Sequence, residues 1–208
     1  MSGNGVLVVE WDSSDERHIL GESVRRLLDA VVATGASPAE LSAAAAVIDQ
    51  VTSQLAATVV HLDLAARPDS GHQAQMSLVG GRSHPAAPQL ALQATPDGAV
   101  GEVVIGPVFQ GGPGLVHGGV IALLVDHTMG YVANRQLGPA MTVRLDLKYR
   151  RPTPLGIPLT VAARLDRVDG RKLYLSASIA AQDNVTVEAN AVFLRLTAGN
   201  LDQVFARV

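Results

Sequence analysis

The chain has 208 residues, of which 48% are hydrophobic and 17% charged, a composition that belongs to a globular protein with one sizeable core and not to a disordered chain. A net charge of −3 and only 3% aromatic residues exclude a nucleic-acid surface as the main function. The lack of cysteine excludes disulfides, thiolate metal sites and a cysteine nucleophile, and no apolar run reaches the length of a membrane helix.

Val6-Leu7-Val8-Val9 is short, lacks a basic lead and is followed by Glu10 and Asp12, so no secretion signal is read and a cytoplasmic location is expected. Ser13-x-x-Glu16 has capping-box spacing and opens a helix to about Thr34, with Leu20, Val24, Leu27, Leu28 and Val31 on its apolar face. Ser37-Pro38-Ala39-Glu40 is a stronger start signal, for a second helix to about Ala65. The stripe of that helix runs through Leu41, Ala44, Ile48, Val51, Leu55, Val59 and Leu62. Residues 13–66 thus read as a helical hairpin, packed on a core or on a second subunit. From Arg67 to Gln89 the chain turns polar and rich in glycine and proline, as in a linker or long loop. His61, His72 and His84 lack metal-ligand spacing.

After Pro88 the period changes. Leu90–Thr95 and Val100–Ile105 read as short strands around the turn Pro96-Asp97-Gly98. A glycine-rich loop, Gly111-Gly112-Pro113-Gly114, then leads into Val116–Ala133, which is small or apolar on every side and predicts a buried helix. Met141–Tyr149 alternates cleanly, Pro152–Gly156 turns the chain, and Leu159–Val168 and Lys172–Ala181 are strands hinged at Asp169-Gly170. Asp183-Asn184 marks a second tight turn before a last strand, Val185–Leu196. Two strands, one buried helix and four strands in meander predict an α+β fold, a curved antiparallel sheet wrapped around one helix. The boundary is expected near residue 80: a helical extension and linker over 1–80, and the sheet domain over 81–208.

The chemistry concentrates on the buried helix. Asp126 is the only acidic side chain between Glu102 and Asp146, and a buried carboxylate is costly unless paired or used. Gly119, Ala122 and Gly130, at i−7, i−4 and i+4, leave a stripe where another backbone or a thin ligand can approach it. Gly118 and Gly119 leave the amides of the first turn bare, at the positive end of the helix dipole, a place that suits an oxyanion. The plain alternative is that these glycines only allow close packing. Gly118 and Asp126 are eight residues apart, about 12 Å along a helix axis. One helix therefore cannot offer both groups to a single carbonyl. Two copies running antiparallel about a two-fold axis can, so catalysis by this pair requires a dimer with two shared sites. The loop is not a P-loop, no nucleophile elbow is present, and His127, adjacent to Asp126, is expected on a different face of the helix.

His117-Gly118-Gly119-x6-Asp126, followed by Thr142, by Tyr149-Arg150-Arg151-Pro152-x-Pro154-Leu155-Gly156 and by Val168-Asp169-Gly170-Arg171-Lys172, resembles the hotdog-fold acyl-CoA thioesterases, in the branch of the PaaI-type enzymes and the human thioesterase superfamily members. The resemblance covers roughly 88–197 and leaves residues 1–80 aside. It implies a helix in a sheet, paired into homodimers or a homotetramer, with acyl-CoA as substrate and no metal or cofactor. It implies Asp126 as general base or nucleophile, Thr142 as the hydroxyl that holds the water, the Gly118 amide as the carbonyl's donor from the other subunit, and His117 as the residue that orients the loop. Gly119 would line the substrate site. Some relatives carry an amide side chain six residues before the histidine; Gly111 stands there, with Gln110 beside it, so either Gln110 shifts in or backbone donors act alone. Arg151, Arg171 and Lys172 would bind the phosphates of CoA. The competing expectations are a non-catalytic acyl-CoA or fatty-acid binder of the same fold, and a hydratase that would use His117.

Overall fold

The computed structural model describes residues 16–57 and 75–197. Ser13, Trp11, His61, His72 and the expected continuation of the second helix beyond residue 57 lie outside the described residues. Helix α1 (Glu16–Ala33) and helix α2 (Pro38–Ala56) are joined by four residues, and Ser37 caps α2 with Glu40 in a full capping box. Strands β1 (Ala91–Ala94) and β2 (Gly98–Val104) follow, then a short 3-10 turn (Pro107–Phe109). Helix α3 (Gly118–Leu137) leads to β3 (Ala140–Tyr149), β4 (Pro158–Asp169), β5 (Lys172–Ala181) and β6 (Asn184–Arg195).

The six strands form one antiparallel sheet in the order β1-β2-β4-β5-β6-β3. Strands β4, β5 and β6 are the expected meander. Strand β3 is not part of it: the chain leaves α3, runs β3 along β6 at the far edge, and crosses to β4. This is a correction of the four-strand meander. Its physical basis is that the strand follows α3 after a two-residue link, Gly138-Pro139, and so continues at the far edge of the sheet. Gly170 takes the left-handed conformation (φ 57°) that the hairpin at Asp169-Gly170 needs, whereas the β5–β6 turn uses Gln182 (φ 54°), one residue before the expected pair.

The sheet curls around one stripe of α3. Ile121, Leu124, Val125, Met129, Val132 and Ala133 are buried against Leu159, Val161, Leu175, Ile179, Val187 and Phe193. Each such aliphatic side chain contributes roughly 1.5–3 kcal/mol of burial. The opposite face of α3 is only half-buried, so the helix is not enclosed on all sides within one chain.

The segment before β1 packs more closely than a linker. Val79, Ala87 and Leu90 are buried, and Val79 and Leu90 belong to the main core cluster. Helix α1 docks on this segment and on the 3-10 turn. Arg25 Nη1 donates to His84 O (2.9 Å), and the Val108 N–H donates to Asp29 Oδ1 (3.3 Å). A Cβ on Gly106 would lie 2.8 Å from that carboxylate oxygen, so glycine is what lets the carboxylate settle there. Helix α2 buries none of its residues in this chain. Among the described residues no helix is long and apolar enough to cross a membrane.

Candidate active site

The helix begins where the sequence places it. His117 is the N-cap, in extended backbone geometry, and its Nδ1 accepts the Gly119 N–H (3.0 Å). That occupies one of the two glycine amides and puts the imidazole proton on Nε2. The Gly118 N–H finds no acceptor among the described residues, and the Gly118 carbonyl accepts the Tyr149 hydroxyl (3.0 Å). One bare donor, fixed from both sides, therefore stands at the positive end of α3.

The loop that leads in is tied down by backbone bonds. His117 N–H donates to Phe109 O (2.9 Å), Val116 N–H to Thr153 O (2.9 Å) and Gly111 N–H to Leu115 O (2.9 Å). Gln110 Oε1 accepts the Gly114 N–H (3.0 Å), so this amide oxygen is spent within the loop. The Gln110 amide NH2 is not engaged by that bond, so it and the Gly118 N–H both remain as donors.

Asp126 sits two turns further on, half-buried, at the wall of a cavity of about 970 Å³. Thr142 Oγ1 donates to Asp126 Oδ1 at 2.8 Å. The register of β3 against β6 explains how. Thr142 lies opposite Phe193 and Arg144 opposite Val192, so Val143 is an extra residue. This bulge turns the strand so that Thr142 shares the helix-facing side with Phe193. Asp126 is thus neither deeply buried nor unpaired: one oxygen is held by Thr142 and the cavity is open to the other.

His127 lies on a different face of α3 from Asp126, as expected, and still lines the same cavity. The cavity is wide enough to span two neighbouring rows of α3. One row is Asp126, Gly130 and Asn134, and the other is His127, Tyr131 and Arg135, each at i, i+4, i+8. Burial pushes the His127 imidazole below its usual range, with the Asp126 carboxylate opposing, so it is neutral near pH 7. The signal that could have revealed this was the second polar row of the helix, which the argument from Asp126 alone passed over.

The expected phosphate-binding residues are not together in one chain. Arg171 and Lys172 follow the β4–β5 hairpin, and Lys172 pairs in register with Leu194, which pairs with Met141. They lie at the Thr142 end of β3. Arg151 lies beyond the opposite end, its Nη1 donating to Val185 O (3.0 Å), beside an Arg150–Glu188 ion pair (2.6 Å). No cluster of His, Asp or Glu among the described residues could hold a metal ion.

A family model described as the thioesterase superfamily matches residues 113–195, the span from the glycine loop to the end of β6. A crystal structure of a thioesterase superfamily protein is 30% identical, covers 86% of this chain and 94% of its own, and superposes with a TM-score of 0.77. The chain belongs to the thioesterase superfamily. Its sheet around α3 is the hotdog fold, and the breadth of that superposition takes in more than the sheet region. Among curated proteins, the bovine acyl-coenzyme A thioesterase THEM4 is 38% identical over 93 residues, 44% of this chain and 38% of the bovine one. The mouse acyl-coenzyme A thioesterase THEM4 is 43% identical over 89 residues, 42% of this chain and 38% of the mouse one. The matched region of this superfamily member spans under two fifths of the length of those relatives.

Proposed function

We propose that this chain hydrolyses acyl-CoA thioesters to the free acid and CoA, at sites shared between two copies of the chain. The Thr142–Asp126 hydrogen bond at the cavity wall carries the reading: a carboxylate held by one oxygen and open at the other is built to take a proton from water. The curated relatives named acyl-coenzyme A thioesterases support the substrate class.

The open edge of the sheet supports the second subunit. Among the described residues strand β3 pairs only with β6, so every second residue along its ten leaves its backbone groups unpaired at the other edge. Met141, Val143 and Tyr149 on it are 46%, 57% and 56% exposed. Long apolar edges are rarely left open. The Thr142 end of β3 carries Asp126 and the Tyr149 end carries Gly118. Antiparallel pairing of two β3 edges, with residue 142 opposite residue 149, sets each acid against the partner's Gly118 and the partner's Arg151 beside Ala140.

In that arrangement the Asp126 carboxylate accepts a proton from a water oriented with the help of Thr142. The water oxygen attacks the thioester carbon, and the oxyanion accepts the N–H of the partner's Gly118, a donor worth roughly 3–4 kcal/mol. Collapse breaks the C–S bond, and the protonated Asp126 returns its proton to the leaving sulfur. Direct attack by Asp126 through an anhydride uses the same groups. Gly111, standing where some relatives carry an amide side chain, favours a second reading, an acyl-CoA binder that leaves the thioester intact. Release of free thiol from a panel of acyl-CoAs separates the two. The chain has no cysteine, so a thiol-reactive dye reports product alone. Turnover that Asp126→Asn abolishes supports hydrolysis; saturable binding without turnover overturns it.

A further inference from the structure

Helix α1 meets the rest of the chain along one stripe, and that stripe is not its apolar one. His18, Gly21, Arg25 and Asp29 recur at three- and four-residue spacing and therefore share a face. His18 Nδ1 donates to Arg82 O (3.0 Å), and Arg25 Nη1 donates to His84 O. Gly21 lies so close to Ser83 that a Cβ would stand 2.7 Å from its carbonyl oxygen. Ile19, Leu27 and Val31, outside the stripe, stay exposed. The last residue of the stripe, Asp29, reaches past this segment to the 3-10 turn.

That turn needs an outside partner. Its cap residue is Gly106, which has no side chain to offer, and its first residue is Pro107, which has no N–H. The carbonyl three residues before Val108, Ile105 O, accepts the Gly156 N–H instead (3.0 Å). The Val108 N–H is thus an orphan donor of the turn. Asp29 Oδ1 accepts it at 3.3 Å, from 79 residues earlier in the chain. The next residue, Phe109, offers its carbonyl to the His117 N–H (2.9 Å), and His117 is the cap directly before Gly118. Two hydrogen bonds and short stretches of backbone therefore link a side chain on α1 to the bare amide. The inner bonds of the loop are local; this outer anchor is not.

We infer that Asp29 is a positioning residue for the Gly118 amide: by capping the turn at Val108 it fixes Phe109 O, and through it the N-cap of α3. This rests on the acyl-CoA reading above and gives a role to a helix that carries no reacting group. Gly106 belongs to the same device. Its backbone is extended (φ −79°, ψ 171°), which any residue adopts, so conformation does not require glycine there. Space does, since a Cβ would meet the Asp29 carboxylate and push it off the turn.

Two variants break the contact from opposite sides. Asp29→Ala and Gly106→Ala should each lower kcat about fivefold with KM little changed, and Asp29→Asn, which keeps an acceptor oxygen, should recover most of the loss. The deciding readout is a double-mutant cycle. In a Gly118→Pro background, where the amide is gone, Asp29→Ala should change the residual kcat by less than about 1.5-fold. The full loss persisting in that background would mean that Asp29 only supports the fold, and would overturn the assignment. Full activity in Gly106→Ala would overturn it too. Hydrogen exchange separates this inference from the reading of the reaction. In Asp29→Ala the His117 amide should exchange about tenfold faster, while the core amide of Leu175 keeps its rate. If the unaltered protein has no turnover, hydrolysis falls, and faster His117 exchange still supports the link from Asp29 to the cap. Unchanged His117 exchange overturns that link whatever the turnover.

Discussion

The start and the middle of α3 hold their functional groups by different means. At the start, everything is backbone and near neighbours: the His117 side chain caps Gly119, the loop is laced by main-chain bonds, and a single amide at Gly118 remains. In the middle, a side chain is fixed by another from a strand sixteen residues later, and only because a bulge at Val143 turns Thr142 inward. The first arrangement is local and rigid; the second depends on sheet register. One helix separates the two groups by two turns, and that separation is why the proposed catalytic unit joins two chains.

The sharpest way to break the comparison is to remove the acid. Asp126→Asn keeps the Thr142 hydrogen bond in shape but removes the base, and kcat in the thiol-release assay should fall by about 10³-fold. Next is the amide. Gly118 is the first residue of the helix and His117 before it is extended, so Gly118→Pro deletes the donor at a position that tolerates proline. A loss of about 10²-fold in kcat is expected, with the melting temperature little changed. Thr142→Ala should cost about tenfold in kcat, and Thr142→Ser should restore most of it, since the hydroxyl and not the methyl is what holds Asp126. Tyr149→Phe frees the Gly118 carbonyl and should cost only about fivefold.

The smallest expected effect is on stability against pH. The folded-state affinity of His127 for a proton lies below that of the unfolded chain. The unfolded chain therefore binds more protons in that window, and stability falls as pH drops below about 6.5. Melting temperatures followed from pH 7 to 5 should show this slope, and His127→Asn should flatten it.

The local end of α3 was the legible one. Glycines and the loop's turn residues are sequence signals in themselves, as was the Asp169-Gly170 hairpin, whose glycine takes a positive φ, whereas the His117 cap is seen only in the structure. The motif order from His117 to Lys172 also pointed to the fold. What the sequence hid was tertiary. Nothing in the alternation of Met141–Tyr149 says which edge the strand joins, and its placement beside β6 decides where Thr142 and the open edge lie. The burial of α3 was overread, because an all-apolar helix can be enclosed by a second subunit as well as by its own sheet. His127 does lie on a different face from Asp126, about 100° round the helix, and what the sequence hid is that one broad cavity spans both. Arg67–Gln89 reads as a linker or long loop because glycine and proline mark it, while in its described part Val79 and Ala87 are buried.

Subunit mixing tests the shared site most directly. Asp126→Asn and Gly118→Pro homodimers are each combined and allowed to exchange. About half of the dimers become mixed, and each mixed dimer joins one intact acid to one intact amide, so about a quarter of the wild-type rate should return. If exchange is verified and no activity returns, or if a stable monomer of the unaltered chain turns over acyl-CoA, both groups act from one chain and the shared site is wrong.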